Sequence, residues 1–330
     1  MRAITISKPG GPEVLEILER DKPHCGPEEV LVKVEAFGVN RADVVQRKGF
    51  YPAPAGVVAD VPGLEFAGTV EAVGERVTST KVGARVFGLL GGGGYQQYIC
   101  VHEMLAMPVP ENLKIEEAAA YPEAFVTAFD ALVLQGHLRP QDKVLISAVG
   151  SGVGMAAAQI ALAYGGKVVG TSRSQKKLDQ AQSQLKGDFT GLHCPSKELN
   201  FAEEISKIES VGAIDLAIEL VGGDYINEDI KAANHKGRII LVGLLAGSKC
   251  QVDLSMVLRK RINLQGTTLR ARSLDEKIAV CRAFSREISP LIAQGRLHAN
   301  IDKVFAAEQI AAAHQMMEED ANFGKIVVKW

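Results

Sequence analysis

The sequence predicts an α/β protein with a β-rich domain and a domain built on a doubly wound parallel sheet. The chain has 330 residues, which suits two domains at roughly 100–200 residues each. Up to about residue 110, short apolar or alternating runs are separated by Gly and Pro. From about residue 115, short apolar runs alternate with helical segments, a pattern typical of a parallel sheet with helices on both faces.

The β-rich part contains four clear strand patterns and one glycine run. The strands are predicted at 30–40, 65–74, 84–90 and 95–101. Gly91–Gly94 precede the last of these strands. This glycine run is either a flexible turn or a place where a ligand approaches the backbone closely. Glu65 lies inside an apolar run, and an acid at such a position needs a partner.

The α/β part begins with a helix over 115–136 that a proline interrupts. Further helices are predicted at 155–165 and around 274–294, and the chain closes on a strand over 324–330. Short apolar runs in this part predict the strands of the parallel sheet, at 143–149, 167–172, 213–221 and 237–244.

Charge and hydropathy exclude two classes of partner. The formal net charge is −2, so no basic excess indicates nucleic acid. The longest apolar stretch, near 155–164, is far shorter than the ~20 residues that span a bilayer. The opening residues MRAITISKPG lack a signal-peptide pattern. We therefore expect a soluble, cytoplasmic protein that binds neither nucleic acid nor membrane.

The cysteines are odd in number and widely scattered, and no C-x-x-C occurs. This pattern argues against a disulfide framework and against a cysteine-rich zinc site. We expect reduced thiols packed as small hydrophobic side chains, at Cys25, Cys100, Cys194, Cys250 and Cys281.

A glycine turn at 150–154 joins a predicted strand to an Ala-rich helix. The spacing departs from G-x-G-x-x-G, because Met155 stands where the third glycine would fall. The flanking strand, helix and second strand nevertheless favour a dinucleotide-binding turn over a plain strand-to-helix turn. The predicted cofactor contacts at this turn are Gly150, Ser151, Gly152 and Val153.

The end of the second strand, at 170–177, favours NADPH over NADH. NAD enzymes usually place an acid there to hold the ribose 2′-hydroxyl, but this segment carries hydroxyls and cations instead. Ser172, Arg173 and Lys177 are predicted to bind the 2′-phosphate, which attracts charged donors. The alternative is that these residues only form the solvated start of a helix and bind no phosphate.

Many motifs in one order resemble the medium-chain dehydrogenase/reductase superfamily, in particular its zinc-free, zeta-crystallin-type quinone oxidoreductases and their tumour-suppressor-inducible subgroup. These motifs are KPGGPEVL, NRADVVQRKG, PGLEFAG, GGGGYQQY, YPEAFVTAF, KVLISAVGSGVGMAA, SQKKL, VGLLAG and NFGKIVVK.

The resemblance implies a GroES-like catalytic domain at 1–120 and 266–330 and a Rossmann domain at 121–265. NADPH is expected in the cleft between them. It also implies homodimers that pair edge strands of the two Rossmann sheets, for which 262–269 is suited.

The resemblance further implies that no metal is bound. Zinc-dependent relatives carry Gly-His-Glu where this chain has Gly63-Leu64-Glu65, and cysteines where it has Asn40 and Glu123. Leucine offers zinc no donor. We expect Glu65 to be tied to an arginine or to a backbone N–H.

Asn40, Asp43 and Tyr51 match catalytic positions of the family. Asn40 is expected to bond the carboxamide or a substrate oxygen, and Tyr51 to stack near the nicotinamide and donate its hydroxyl proton. The alternative for Asn40 and Asp43 is turn capping. Val45 replaces a tyrosine that relatives often carry, which suggests a more apolar pocket.

Other family positions are predicted to contact the cofactor. Cys194 stands where relatives often place a tyrosine for the 2′-phosphate. The remaining predicted contacts are Thr127, Gly243, Leu244, Leu269, Arg270, Asn322 and Lys325.

The predicted function is NADPH-dependent reduction of quinones, including ortho-quinones, by one or two electrons and without zinc. One alternative is reduction of activated C=C bonds in enals or enoyl thioesters. The other is a largely non-catalytic NADPH-binding protein of the crystallin kind.

Overall fold

A computed structural model describes residues 1–195 and 200–330 and divides the chain into two compact units. The β-rich unit comprises Met1–Val126 and Leu269–Trp330, and the parallel-sheet unit comprises Thr127–Thr268. The chain thus leaves the first unit and returns to it. The boundaries fall a few residues after the predicted ones, and the first lies inside the helix Pro122–Phe129.

Strands and helices are numbered in chain order. The strands are β1 (Arg2–Ile6), β2 (Leu15–Glu19), β3 (Glu29–Val39), β4 (Glu65–Val73), β5 (Arg85–Leu89), β6 (Tyr98–His102), β7 (Met107–Pro108), β8 (Lys143–Ile146), β9 (Lys167–Ser172), β10 (Phe189–His193), β11 (Ile214–Glu219), β12 (Ala233–Leu241), β13 (Asn263–Gly266), β14 (Ile301–Ala306) and β15 (Lys325–Lys329). The helices are α1 (Arg41–Arg47), α2 (Ile115–Ala118), α3 (Pro122–Phe129), α4 (Gly152–Ala163), α5 (Gln175–Gln184), α6 (Phe201–Ser206), α7 (Tyr225–Ala232), α8 (Leu254–Lys260), α9 (Leu274–Glu287), α10 (Ser289–Ala293) and α11 (Ile310–Glu318). Short 3₁₀ helices lie at Pro12–Val14, Glu103–Leu105 and Ala307–Gln309, and a π-helix at Asp130–Gln135.

The sheet of the β-rich unit joins the two ends of the chain. Its strand order is β14-β15-β3-β4-β5-β7, with β6 paired to β3, while β1 and β2 form a separate hairpin. The C-terminal strand β15 runs antiparallel to β3, so that Ile326 opposes Val39 and Lys329 opposes Ala36. This pairing places Lys325, at the start of β15, beside the end of β3.

Aromatic side chains fill the core of the β-rich unit. Phe37, Phe66, Phe87 and Tyr95 are almost completely buried, and the rings of Phe37 and Tyr95 lie 4.4 Å apart between centroids. Burial of each large apolar side chain contributes roughly 1.5–3 kcal/mol. The Tyr95 hydroxyl needs a partner in this core, and it anchors the hydrogen-bond chain described below.

The parallel-sheet unit has strand order β10-β9-β8-β11-β12-β13, with every pairing parallel. Numbered within the unit, this order is 3-2-1-4-5-6, the doubly wound arrangement of dinucleotide-binding sheets. The order reverses between β8 and β11. Ligands of such sheets bind at the carboxyl ends of the strands at that reversal.

The expected edge of the parallel sheet is present, whereas one predicted helix is broken in two. Strand β13 is an edge of the parallel sheet, where Leu264 is exposed, and the dimer itself stays a prediction. The segment predicted as one helix over 274–294 is two, α9 and α10, because Pro290 lies at the start of the second. Within residues 1–195 and 200–330, no helix combines the length and apolarity needed to cross a membrane.

The prediction of reduced thiols is wrong for two of the cysteines. Cys25 and Cys100 form a disulfide across 75 residues of sequence. Strand β6 pairs with β3, which brings Cys100 beside the segment that leads into β3. Cys281 is buried as expected, Cys194 is half-buried, and Cys250 is exposed.

Two buried acids interact with each other, Glu219 at the end of β11 and Asp229 in helix α7. Glu219 and Asp229 are each about 1% exposed. The Glu219 Oε1 atom accepts hydrogen bonds from Ser147 Oγ at 3.1 Å and from Gly222 N at 2.8 Å. Burial and the Glu219 carboxylate raise the pKa of Asp229 well above its usual value. Two neighbouring buried carboxyls oppose each other's ionisation, so Asp229 keeps its proton to a higher pH in the folded protein than in the unfolded chain.

This acid pair predicts a stability that falls as the pH rises. Asp229 has a raised pKa in the folded protein, so unfolding above pH ~4 releases a proton. The Asp229→Asn variant should therefore gain stability over the wild type with rising pH, by at most about 1.4 kcal/mol per pH unit. Urea unfolding at several pH values checks this. The exposed Asp224→Asn is the control, and an equal effect of the two variants at every pH would contradict the pairing.

Candidate active site

Glu65, the first residue of β4, is completely buried and holds three segments together. Its Oε1 atom accepts a hydrogen bond from Asn40 Nδ2 at 2.8 Å and forms an ion pair with the Lys325 ammonium. Its Oε2 atom accepts from the backbone N–H of Glu123 at 2.8 Å. An acid fits this apolar strand because a cation and two N–H donors replace its lost hydration.

The Lys325 ammonium is as enclosed as its partner. Its side chain is 4% exposed, and Nζ also donates to Asn40 Oδ1 at 2.6 Å. Gly38 in β3 leaves room for the pair, because a Cβ atom there would lie 2.0 Å from Glu65 Oε1. The predicted backbone N–H partner of Glu65 is present, but the cation is a lysine from the far end of the chain and not an arginine.

A chain of buried hydrogen bonds ends at Asp43, which in turn bonds the backbone of Asn40. Arg47 Nη1 lies 3.3 Å from His314 Nδ1, and Tyr95 Oη lies 3.1 Å from His314 Nε2 and from Asp43 Oδ2. Burial lowers the pKa of His314 to about 3, so the ring is neutral. Because Arg47 can only donate, Nδ1 is the acceptor and Nε2–H donates to Tyr95, which donates to Asp43.

Asp43 and Asn40 cap helix α1. The Asn40 backbone N–H donates to Asp43 Oδ2 at 2.8 Å, and the Gly63 N–H donates to Asp43 Oδ1 at 3.1 Å. Asp43 has no exposed surface, and burial raises its pKa to about 6. These contacts match the capping alternative for Asp43. Asn40 is half-buried, with its amide bonded to Glu65 and Lys325.

Tyr51 lies beneath an arginine. The guanidinium carbon of Arg270 is 4.7 Å from the centroid of the Tyr51 ring, a cation–π distance. Arg270 also donates to Gly91 O at 2.8 Å, to Tyr51 O at 3.2 Å and to the Gln46 side chain. Arg270, predicted as a cofactor contact, is buried and fixes the glycine run and the Tyr51 segment relative to each other.

Glu123 and Lys277 are charged groups of the same unit that the sequence did not mark for catalysis. Burial and the Glu65 carboxylate raise the pKa of Glu123 to about 8. Burial and the Arg270 guanidinium lower the pKa of Lys277. The local sequence gave no signal for either pKa shift, because burial in the folded unit is the largest cause of both.

The glycine turn of the parallel-sheet unit leads into the capped N-terminus of α4. Ser151 caps α4, its Oγ accepting from Gly154 N at 3.0 Å. Gly152 and Val153 open the helix, whose first N–H groups favour a phosphate. A Cβ on Gly154 would lie 2.6 Å from Ala148 O, so Gly154 permits the close helix–strand packing that the third glycine of the motif serves.

The predicted 2′-phosphate residues lie together near this turn. A Cβ on Gly150 would lie 3.0 Å from Lys177 Cβ, so the Lys177 side chain runs along the turn. Ser172 ends β9, and its Oγ accepts from Ser174 N at 3.1 Å. Arg173 is exposed, and Cys194 lies beside Ser172, bonding Ser172 O through its N–H at 2.9 Å.

The other predicted cofactor residues divide between the two units. In the parallel-sheet unit, the Gly243 N–H donates to Glu219 O at 3.2 Å and Leu244 is exposed. Thr127 is half-buried in α3. In the β-rich unit, Leu269 is buried, and the buried Asn322 donates from its amide to Gly324 O at 2.7 Å.

The side chains around Glu65 do not suit zinc. Leu64 offers no donor, and both ends of the Asn40 amide are engaged by Glu65 and Lys325. A buried ammonium next to the carboxylate also opposes a divalent cation. Across residues 1–195 and 200–330, the grouping with metal-ligand geometry is Cys25, Glu29 and Cys100, away from these residues and with its sulfurs joined.

Comparison with known proteins agrees with this architecture. The model of the alcohol dehydrogenase GroES-like domain matches residues 26–111, and the zinc-binding dehydrogenase model matches residues 152–285. The quinone oxidoreductase of Sus scrofa is 32% identical over 320 residues, covering 96% of this chain and 93% of the relative. The chain belongs to the quinone oxidoreductase family of medium-chain dehydrogenases/reductases. The predicted family and the GroES-like plus Rossmann fold are thereby confirmed.

Solved structures of the family extend the comparison. Escherichia coli quinone oxidoreductase complexed with NADPH has a TM-score of 0.86 at 26% identity, with 100% of both chains covered. The CurK enoyl reductase has a TM-score of 0.86 at 28% identity, covering 99% of this chain and 98% of that one. This family member is an oxidoreductase with a site for a nicotinamide cofactor.

The buried ion pair predicts a large and specific loss of stability. Lys325→Met leaves the Glu65 carboxylate buried without its cation, and should destabilise the protein by about 3–5 kcal/mol in urea unfolding. Adding Glu65→Gln should restore part of this loss. The control is Lys329→Met, which breaks the exposed 3.6 Å pair with Glu116 and should cost at most about 1 kcal/mol. Equal losses in the two lysine variants would contradict the account.

Proposed function

We propose that this family member is an NADPH-dependent quinone reductase that works without zinc. The observation that carries the proposal is the buried Lys325–Glu65–Asn40 arrangement. It includes Asn40 and lies next to Leu64 and Glu123, the three positions that match the metal ligands of zinc-dependent relatives. A reductase without a Lewis acid suits quinones, because they accept electrons readily.

The preference for NADPH rests on the parallel-sheet unit. Lys177 lies along the glycine turn, and Ser172 and Arg173 end the second strand with no acid among them. Cations and hydroxyls suit a 2′-phosphate, while a 2′-hydroxyl is usually held by an acid. The Escherichia coli relative forms a complex with NADPH, which supports the same choice.

The bound cofactor would supply the hydride, and the protein would supply orientation and charge. Ser151, Gly152 and Val153 would hold the pyrophosphate at the start of α4. Tyr51 would present its ring to the acceptor, fixed by Arg270. The guanidinium would also stabilise negative charge on a reduced acceptor oxygen.

Reduction of activated C=C bonds is the second candidate. The similarity to the CurK enoyl reductase over 99% of the chain favours it. Arg270 and Lys277 would serve an enolate oxygen as well as a quinone oxygen.

Acceptor choice separates the two candidates. We expect the purified protein to oxidise NADPH with 1,2-naphthoquinone at a rate at least ~10-fold above that with an enoyl-CoA or a short enal. Absorbance of NADPH is followed with each acceptor and with none. Faster turnover on the alkenes would replace the quinone proposal with the second candidate. NADPH binding without turnover on any acceptor would contradict both.

Lys177 should determine the choice of cofactor. Loss of a charge-assisted contact to the 2′-phosphate is worth about 1.5–3 kcal/mol, so Lys177→Ala should raise the KM for NADPH roughly 10–100-fold and leave that for NADH nearly unchanged. Lys176→Ala, the exposed neighbour, is the matched control. An equal change in KM for both cofactors would show that Lys177 does not bind the 2′-phosphate.

A further inference from the structure

Ser147 and Glu219 stand at the carboxyl ends of the two strands between which the order of the parallel sheet reverses. Ser147 directly follows β8, and Glu219 ends β11. Both residues are almost completely buried, and the Ser147 hydroxyl donates to Glu219 Oε1 at 3.1 Å. A doubly wound sheet binds its dinucleotide at this reversal. The pair therefore lies at the end of the sheet where the cofactor is expected.

The pair holds the backbone of the loop that follows β11. The Leu220 N–H donates to Ser147 Oγ at 2.7 Å. The N–H groups of Val221 and Gly222 both donate to Glu219 Oε1, that of Gly222 at 2.8 Å. Three successive backbone donors are thus bonded to two buried side chains. An unpaired buried N–H is costly, so the two side chains fix the course of this loop.

The loop after β12 lies directly against the loop after β11. The Ala246 N–H donates to Val221 O at 2.7 Å. A Cβ atom on Gly243 would lie 2.3 Å from Leu220 O, so the two backbones touch and leave no room for a side chain. A shift of the first loop would therefore also shift Gly243 and Leu244, two of the predicted cofactor contacts.

The two halves of the sheet predict which part of the cofactor each loop contacts. The half formed by β8, β9 and β10 carries the glycine turn and the predicted 2′-phosphate residues, so we expect it to bind the adenosine end. The loops after β11 and β12 belong to the other half, which in such a sheet binds the second mononucleotide. The hydrogen bond between Ser147 and Glu219 thus joins the adenosine half to the nicotinamide half.

We propose that Ser147 and Glu219 position the loops after β11 and β12 for the nicotinamide half of the cofactor. They are positioning residues, because their side chains bond the backbone N–H groups of residues 220–222. The inference rests on the proposed function for its probe, NADPH. Without either side chain these N–H groups lose their buried acceptor. The nicotinamide half then binds less tightly, whereas the adenosine half binds as before.

Affinities for NADPH and for its adenosine fragment 2′,5′-ADP test this proposal without turnover. Ser147→Ala removes the acceptor of the Leu220 N–H, so the Kd for NADPH should rise at least ~5-fold while that for 2′,5′-ADP changes less than ~2-fold. Isothermal titration calorimetry measures both constants. An unchanged Kd for NADPH, or an equal rise for NADPH and for the fragment, would overturn the proposal.

Further variants separate positioning from a general loss of stability. Glu219→Gln keeps an oxygen that accepts from Val221 and Gly222, so it should bind NADPH nearly as the wild type does. Glu219→Leu removes that oxygen and should weaken NADPH binding as Ser147→Ala does. The control Ile205→Val removes a buried methylene from the same unit and should change neither affinity. Weakening by Glu219→Gln or by the control as large as that by Glu219→Leu would contradict positioning.

Failure of the proposed function gives a different result. If the wild type binds NADH and not NADPH, the 2′-phosphate proposal falls, and the same comparison with NADH and 5′-AMP decides the role of the pair. If the wild type binds NADPH but reduces no quinone, the proposed activity falls, and the affinities still decide that role. If it binds neither cofactor, the function and the role fall together.

Discussion

The buried ion pair between Glu65 and Lys325 is the contact on which the β-rich unit depends. It joins the start of β4 to the start of β15, and through Asn40 and the Glu123 N–H it also fixes the starts of α1 and α3. A carboxylate without water requires compensation from every side. Because Asn40 and the Glu123 N–H are two of the donors to this carboxylate, their positions are fixed by it.

The same contact is the basis of the proposal that this reductase works without zinc. At two positions that match metal ligands of zinc-dependent relatives this chain has Leu64 and an asparagine, Asn40, whose amide is bonded to Glu65 and to the Lys325 ammonium. The Arg47–His314–Tyr95–Asp43 chain then packs α1 against α11. If the protein works without zinc as proposed, the cofactor and the groups near Tyr51 must carry the chemistry.

Local patterns were sufficient for much of the fold, because strand alternation and the glycine turn are properties of short segments. The 150–154 turn and the break at Pro122 could be predicted in this way, whereas the edge at 262–269 was expected only from the family resemblance. Contacts between distant segments could not: no local signal pairs Cys25 with Cys100, Glu219 with Asp229, or Lys325 with Glu65. Arg270 is predicted at the cofactor because its motif matches the family, but the bonds of its guanidinium to Gly91 and Gln46 could not be predicted from the sequence.

The central claim is that a protein cation has replaced zinc in an active reductase. Its most direct test is the metal content and NADPH–quinone turnover of one preparation, before and after dialysis against a chelator. The account predicts substoichiometric zinc and turnover that neither chelation nor added zinc changes. Stoichiometric zinc, with activity lost on its removal and restored on its return, would contradict it.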